Sequence, residues 1–158
     1  MTFVNRARRV AVSLGFILTM LTVFRSAANA DNTQVAQIKT VTGQAEIVRN
    51  SARTVARVGD PLYEKDTIET GPDGSIGITF IDNTVMSSGP DSEIVLEDYK
   101  FNSSNFKGSM LADMNRGTVS MISGDIARSS PGAMKVKTPT AILGVRGTRF
   151  VIEVKDNR

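Results

Sequence analysis

The feature that most constrains this fold is a repeated alternation of apolar and polar residues, in short runs that each follow a glycine-containing turn. A period of two places successive side chains on opposite faces of a half-buried strand. Ile76, Ile78 and Phe80, for example, share one face of such a run. The same pattern predicts five further strands, whose apolar faces carry Ala45 and Ile47, Ile94 and Leu96, Val119 and Met121, Met134 and Val136, and Phe150, Ile152 and Val154. The sequence therefore predicts an all-β protein.

Two Gly-Pro-Asp turns, at Gly71–Ile76 and Gly89–Ile94, lie 18 residues apart within this pattern. Proline presets the first central position of a type I turn, and aspartate suits the next position. Each turn is predicted to reverse the chain and to start a strand. We expect a compact two-layer, jelly-roll-like β-fold, with a short β-solenoid as the alternative because regular repeats favour coiling.

Helical periodicity is best developed in Ser104–Asn115. The apolar residues that recur there at helical spacing are Phe106, Met110, Leu111 and Met114. Gly108 interrupts the stretch, so a strand plus a loop explains it equally well. The mature chain is predominantly β in either case.

The first 30 residues are typical of an export signal. A basic start, Arg6–Arg9, precedes the mostly apolar stretch Val10–Phe24, and small residues then lead to a predicted cleavage between Ala30 and Asp31. The apolar stretch is shorter than the roughly 20 residues that a lipid-spanning helix needs. We expect export by the general secretory route, with the twin-arginine route as the alternative because of the paired arginines.

Cleavage would leave one domain, residues 31–158, in the periplasm or secreted, with no stable membrane span. Four of the 19 basic residues and none of the 16 acidic residues lie in the signal, so the mature part carries 15 basic and 16 acidic side chains. Their signs are interspersed, which argues against a nucleic-acid partner. The chain has no cysteine, so the exported domain is predicted to depend on packing without disulfides.

The sequence also has no histidine, which excludes Ser-His-Asp and Cys-His sites and zinc sites with nitrogen or sulfur ligands. Carboxylate chemistry remains, and the acidic cluster Asp60, Glu64, Asp66 and Glu69 could hold calcium or form a glycosidase pair. Its spacing matches no EF-hand loop, and we interpret Asp60 and Asp66 as residues that cap tight bends through their own backbone. We therefore predict no catalytic residue, no cofactor and no metal.

A glycine-arginine-glycine stretch lies near the end of the chain, within Thr138–Val154. A phosphate-binding loop is improbable here because a β-pattern follows, without a helix or a lysine. A nucleophile elbow would need a serine and a partner base. We interpret Gly144–Thr148 as a bend between two strands, in which Gly144 and Gly147 permit special backbone conformations and Arg146 pins the last strand to the core. Gly147→Val should then cause misfolding rather than a clean loss of binding.

Three segments in this order, Gly59–Phe101, Arg116–Gly124 and Val136–Ile152, resemble the FecR domain. The resemblance covers roughly Val41–Val154, nearly all of the mature chain. Its most specific parts are the Thr70-Gly71 turn, the F-x-D with a following threonine in Phe80–Thr84, and the TPTA that leads to GVRGT-x-F in Thr138–Phe150.

This resemblance implies an exported, all-β domain without a ligand, which works by contact with other proteins. In the regulatory members of the family, the domain lies in the periplasm and is joined through one membrane helix to a cytoplasmic segment that controls a sigma factor. It receives its signal from an outer-membrane iron-siderophore transducer. The present sequence shows neither the cytoplasmic segment nor a convincing membrane helix, and so it is similar to stand-alone, signal-peptide-bearing members.

The resulting hypothesis is a non-catalytic, exported interaction module of envelope signalling or regulation, which presents strand edges and turns to an envelope protein partner. The residues of the structural signature are Thr138, Pro139, Thr140, Gly144, Arg146, Gly147 and Thr148. Arg146 and Arg149 are the candidates for direct contact with the partner.

Two alternatives remain open. A polysaccharide-binding module of the cell envelope would need an aromatic floor, drawn from Tyr63, Tyr99, Phe101 and Phe106. An enzyme with paired carboxylates would need two acids that face one pocket.

Overall fold

The structure, a computed structural model, describes residues 33–147 and 149–155. They form 12 strands and one short helix. In chain order these are β1 (Gln34–Thr42), β2 (Ala45–Arg49), β3 (Ala52–Val55), β4 (Pro61–Tyr63), β5 (Thr67–Thr70), β6 (Ser75–Phe80), β7 (Val85–Ser88), β8 (Glu93–Asn102), β9 (Lys107–Ile122), α1 (Asp125–Ser129), β10 (Met134–Lys137), β11 (Ile142–Val145) and β12 (Arg149–Val154). The prediction of an all-β protein is confirmed.

The long strand β9 belongs to both halves of one curled sheet. Its first part pairs with β8 and β10, in the strand order β3-β2-β5-β8-β9-β10-β11. Its last part pairs with β7 and β12, in the order β4-β1-β6-β7-β9-β12. Among the described strands only β9 and β10 pair in parallel, so the antiparallel, jelly-roll-like prediction fits better than a solenoid.

Gly117 marks the change of partners within β9, with a φ of +92°. A Cβ atom at this position would lie 2.1 Å from Ser92 Oγ and 2.4 Å from Ser92 Cα. Glycine is therefore required both by the left-handed backbone and by the close approach of the neighbouring turn.

The apolar faces of the strands meet in one core. Every residue that the alternation placed on a buried face is buried, except Phe150 and Val154, which are half-buried. Asp82 and Thr84 are fully buried among these apolar residues, with no exposed surface. The sequence pattern therefore predicted the core, and the buried polar residues need a separate explanation.

The helical alternative for Ser104–Asn115 is wrong, and the strand plus loop is right. Met110, Ala112 and Met114 are buried while the residues between them are half-buried, which is the period of a strand. The helix that does form, α1, was not predicted. It has only five residues, too few for a recognisable helical period.

The two Gly-Pro-Asp turns differ in type. Gly74 N–H donates to Gly71 C=O at 2.9 Å, as expected for the type I turn. Asp91 has a φ of +49°, which places the second turn in type II instead of the predicted type I. Asp91 N–H donates to Gly71 C=O at 3.0 Å, so this conformation docks the second turn on the first.

Candidate functional site

The signature near the end of the chain begins as a tight turn between β10 and β11. Thr138 N–H donates to Ala141 C=O at 2.8 Å, and Ala141 N–H donates to Thr138 Oγ1 at 3.1 Å. Thr138 is nearly buried, whereas Pro139 and Thr140 are exposed. Threonine's hydroxyl thus closes the turn, and the hairpin brings Thr138–Thr140 beside the strand that carries Gly144.

We call strand β11, Ile142–Val145, the β11 edge, because among the described strands it pairs with β10 alone. Paired residues of antiparallel strands alternate between mutually hydrogen-bonded and non-bonded positions. Because Thr138 bonds to Ala141, the alternation leaves the N–H and C=O groups of Ile142 and Gly144 facing away from β10. The edge therefore presents unpaired backbone groups to the surroundings.

The side chains of the β11 edge are unusually apolar for an exposed strand. Ile142 is 65% exposed and Leu143 is 41% exposed, while Val145 is buried. Leu143 shares a face with Val145 and contributes to a groove of about 500 Å³ between the β10–β11 hairpin and β12. Ile152 and Val154 line the same groove, as do the charged residues Glu153 and Lys155. The edge thus combines a free backbone with an apolar groove beside it.

The two glycines of this signature have different roles. Gly147 lies in the bend between β11 and β12 with a φ of +53°, so the predicted bend is present and needs a left-handed residue. Gly144 has no left-handed backbone, and no described atom lies within 4 Å of the position of a Cβ atom there. Its lack of a side chain has no explanation inside the part of the fold that the structure describes.

The same geometry argues against the expected misfolding of Gly147→Val. No described atom lies within 4 Å of a Cβ atom added at Gly147, so the added Cβ atom itself meets no steric clash with the described residues. Only the strain of a left-handed conformation remains, which costs roughly 1–2 kcal/mol. With respect to the described residues, the bend is a surface feature and not a packed junction.

Arg146 does not pin the last strand to the core, contrary to expectation. Its side chain is exposed and makes no hydrogen bond or ion pair with a residue of the described ranges. The side chain lies in the bend after β11 and faces solvent. Arg149 is exposed in the same way, while Thr148 lies outside the described residues, as do Ala30 and Asp31.

The Phe80–Thr84 motif forms what we call the Asp82 cluster, which consists of Asp82, Thr84, Tyr99, Gly124 and Ile126. The Asp82 carboxylate accepts hydrogen bonds from Thr84 Oγ1 at 2.8 Å, from Tyr99 OH at 3.0 Å, and from the N–H groups of Thr84 at 3.2 Å and Ile126 at 3.3 Å. Thr84 Oγ1 in turn accepts a bond from Gly124 N–H at 3.0 Å. The motif joins the β6–β7 turn to β8 and to the start of α1.

The raised pKa of Tyr99 agrees with a structural role for the Asp82 cluster. Burial, and then the negative charge of Asp82, raise the pKa of Tyr99 far above its usual value. The phenol therefore stays protonated and keeps donating to the carboxylate. Phe80 stacks on Tyr99 with ring centroids 5.5 Å apart, so the polar cluster is sealed by apolar packing.

The predicted acidic cluster does not form one site. Asp66 is buried and accepts two bonds from Arg49, both at 2.7 Å, and a backbone N–H of its own turn at 2.8 Å. Asp60 likewise accepts a backbone N–H of its own turn at 2.9 Å, so the interpretation of both as bend-capping residues is confirmed. Glu69 pairs with Arg53 at 2.6 Å on an exposed strand face. Within the described ranges, no group of three or more acidic side chains could hold a metal ion.

Three of the four predicted aromatic residues, Tyr63, Tyr99 and Phe101, line one pocket of about 320 Å³. Phe106 lies apart, exposed in the turn between β8 and β9. The Tyr99 hydroxyl is already bound in the Asp82 cluster, and the Arg49 guanidinium covers the Tyr63 ring at 4.3 Å from its centroid. Phe101 is therefore the ring of this pocket that has no such partner among the described residues.

The fold and these two motifs define an all-β domain with a buried polar cluster at one place and a bare strand edge at another. The family described as FecR protein matches residues 66–158, more than half of the 158 residues, and this range contains both motifs. The chain therefore belongs to the FecR family, which acts in envelope signalling through sigma-factor regulation. No curated protein and no solved structure matches the chain.

The described residues contain one helix, α1, and it is far too short to cross a membrane.

Proposed function

We propose that this protein is a non-catalytic, exported protein-interaction module that takes part in envelope signalling or regulation. The observation that carries the proposal is the β11 edge, where exposed apolar side chains and outward backbone groups occur together. Edge strands with free donors and acceptors are templates for pairing with another chain. Membership of the FecR family supports the same kind of function.

The polar groups of the Asp82 cluster, of Asp66 and of the β2–β5 face already have partners that stabilise the fold. The Asp82 carboxylate is used by four donors, and Asp66 is held by Arg49. The exposed face around β2 and β5 is covered by ion pairs such as Arg53 with Glu46 and Glu69. The β11 edge differs because its exposed groups have no partner within the described part of the chain. Binding is therefore assigned to this edge.

Export is part of the proposal. Residues 1–30 would be a signal peptide, cleaved between Ala30 and Asp31, and residues 31–158 would be a single domain in the periplasm or outside the cell. The basic start, the apolar stretch and the small residues support this assignment. Mass spectrometry of the protein from an envelope fraction should find Asp31 as the first residue, and retention of residues 1–30 would contradict the assignment.

Site-specific photocrosslinking in cells tests the interaction. A photoreactive phenylalanine analogue at Ile142 should yield a discrete crosslinked protein in the envelope. The matched control is Val58, an equally exposed apolar residue at 65% that lies in a loop away from the edge. Crosslinking at Ile142 but not at Val58 is expected. Absence of a protein adduct at Ile142 would reject the proposed module.

A second candidate function is binding of envelope polysaccharide, favoured by the pocket around Tyr63 and Phe101. Sugars stack on aromatic rings, and an unpartnered ring beside a pocket suits them. Phe101→Ala should then abolish retention on immobilised envelope polysaccharide. Phe106→Ala, which removes a ring outside the pocket, should leave retention unchanged. Equal retention of the wild type and Phe101→Ala would reject this second candidate.

A further inference from the structure

We propose that the β11 edge binds, by strand addition, an extended segment of a partner protein in which apolar and acidic side chains alternate. This inference rests on the proposed function and adds to it the place of contact and the chemistry of the partner. It follows from three properties of the edge: its bare backbone, its open glycine and its unpaired basic side chains.

The first property separates the β11 edge from the other edges of the sheet. Natural edge strands are protected by charged residues, proline or short length. The three other described edges have such protection: β3 carries Arg53, β4 has three residues and begins with Pro61, and β12 carries Arg149 and Glu153. Strand β11, Ile142–Val145, is also short, with four residues, but it contains no charged residue and no proline. Among the described edges, β11 is therefore the one best suited to pair with another strand.

The second property is the open space at Gly144. A glycine inside a strand often marks a place where another backbone approaches closely. Gly144 is one of the two residues whose N–H and C=O groups point outward, and no described atom lies within 4 Å of a Cβ atom built there. A partner backbone can therefore approach this position without meeting a side chain.

The third property is charge. Lys135 lies opposite Gly144 on β10, and Arg146 and Arg149 flank the bend that follows the edge. None of these three side chains has a hydrogen bond or ion pair with a residue that the structure describes. Lys137, by contrast, pairs with Asp113 at 2.6 Å. The unpaired cations around the edge are complementary to carboxylates on an incoming strand.

The two faces of the edge set the alternation of the partner. An incoming strand would direct every second side chain toward Leu143 and the apolar groove, and the others toward the face that carries Lys135. Apolar residues suit the first set and acidic residues the second. A second copy of this chain fits less well, because pairing two β11 edges would bring two sets of cations together.

The test uses a fluorescent ten-residue peptide of alternating valine and glutamate, titrated into the mature protein up to millimolar concentration and followed by anisotropy. The control peptide alternates valine and lysine. We expect saturable binding of the acidic peptide alone, with amide shifts of Ile142 and Gly144 in NMR spectra. No saturation with the acidic peptide, or equal binding of both peptides, would overturn the inference.

Variants place the binding on the edge. Reversing both arginines, Arg146→Glu with Arg149→Glu, should weaken binding by about tenfold or more, because like charges then face the peptide. Lys107→Glu, which reverses an exposed cation on another part of the sheet, is the matched control and should change little. Gly144→Pro removes an outward N–H and should abolish binding, whereas Val55→Pro on the β3 edge should not. If Gly144→Pro fails to fold, the charge variants alone determine whether the peptide binds at the β11 edge.

This test separates the inference from the proposed function. A protein adduct at Ile142 together with no preference for the acidic peptide would leave an interaction module in place and reject the chemistry proposed for its partner. Absence of the adduct would reject the module itself. Unchanged peptide binding in the double arginine variant would show that the peptide binds elsewhere.

Discussion

Two of the three motifs that carry the family resemblance behave in opposite ways. In Phe80–Thr84, the polar side chains of Asp82 and Thr84 are fully buried and engaged in hydrogen bonds within the chain. In Thr138–Gly147, Arg146 is exposed without a described partner, and Gly144 faces open space. The first motif is explained by stability alone. The second is not, and its unexplained residues indicate where binding should be sought.

Asp82→Ala should produce the largest effect, because it removes the acceptor of four hydrogen bonds from the middle of the structure. Each buried donor left without a partner costs about 1–3 kcal/mol. We expect the free energy of unfolding, measured by urea denaturation, to fall by more than about 3 kcal/mol. Glu64→Ala, which removes an exposed carboxylate, should stay within about 0.5 kcal/mol of the wild type. A loss below about 1 kcal/mol for Asp82→Ala would remove the contrast between the motifs.

Alanine at Gly124 and alanine at Gly144 should have very different effects on stability. A Cβ atom at Gly124 would lie 2.1 Å from Asp82 O and 2.4 Å from Thr84 N, both backbone atoms that cannot easily move. We expect Gly124→Ala to cost up to about 3 kcal/mol in unfolding free energy. Gly144→Ala adds the same methyl group to open space and should change stability by less than about 0.5 kcal/mol. Equal losses in thermal unfolding of the two variants would show that Gly144 is also a packing residue.

The sequence predicted the fold better than it predicted the roles of the motifs. Alternation is a local signal, and it identified the buried faces of the strands without any knowledge of their pairing. The Asp82 cluster depends on Ile126, which is 44 residues from Asp82, and no local pattern connects them. The short helix that contains Ile126 has only five residues, too few to be predicted from a helical period.

For Arg146, the sequence suggested an internal contact that the described residues do not make. Arginine between two glycines suggested an internal anchor, because its planar donors suit a buried carboxylate or carbonyl group. Whether such a side chain faces inward depends on the side to which the bend turns, and the sequence does not specify that side. A bend does lie at Gly147, but Gly144 belongs to strand β11, and Arg146 is exposed instead of buried.

Tyr99→Phe should cost less than either change above, about 1–2 kcal/mol, because one buried hydroxyl is lost from the Asp82 cluster. Its effect should also depend on pH. Burial raises the pKa of Tyr99, so the folded protein keeps a proton that the unfolded chain loses above a pH of about 10. The stability that depends on this proton is complete below that pH and is lost as the pH rises. Urea denaturation between neutral and alkaline pH should therefore show the two proteins converging, and parallel curves would contradict the assignment.

Apart from the near-neutral controls Glu64→Ala and Gly144→Ala, Gly147→Val should have the smallest of these effects, about 1 kcal/mol in unfolding free energy. Its φ of +53° strains a branched side chain, but no described atom stands within 4 Å of the added Cβ. Gly147→Asn is the matched control, because asparagine adopts left-handed conformations more readily and should recover part of the loss. Because the strain is confined to one surface bend, both variants should fold and keep the wild-type circular dichroism spectrum. A loss for valine as large as that of Asp82→Ala would mean that the bend packs against chain outside the described residues, and the two motifs would then share a structural role.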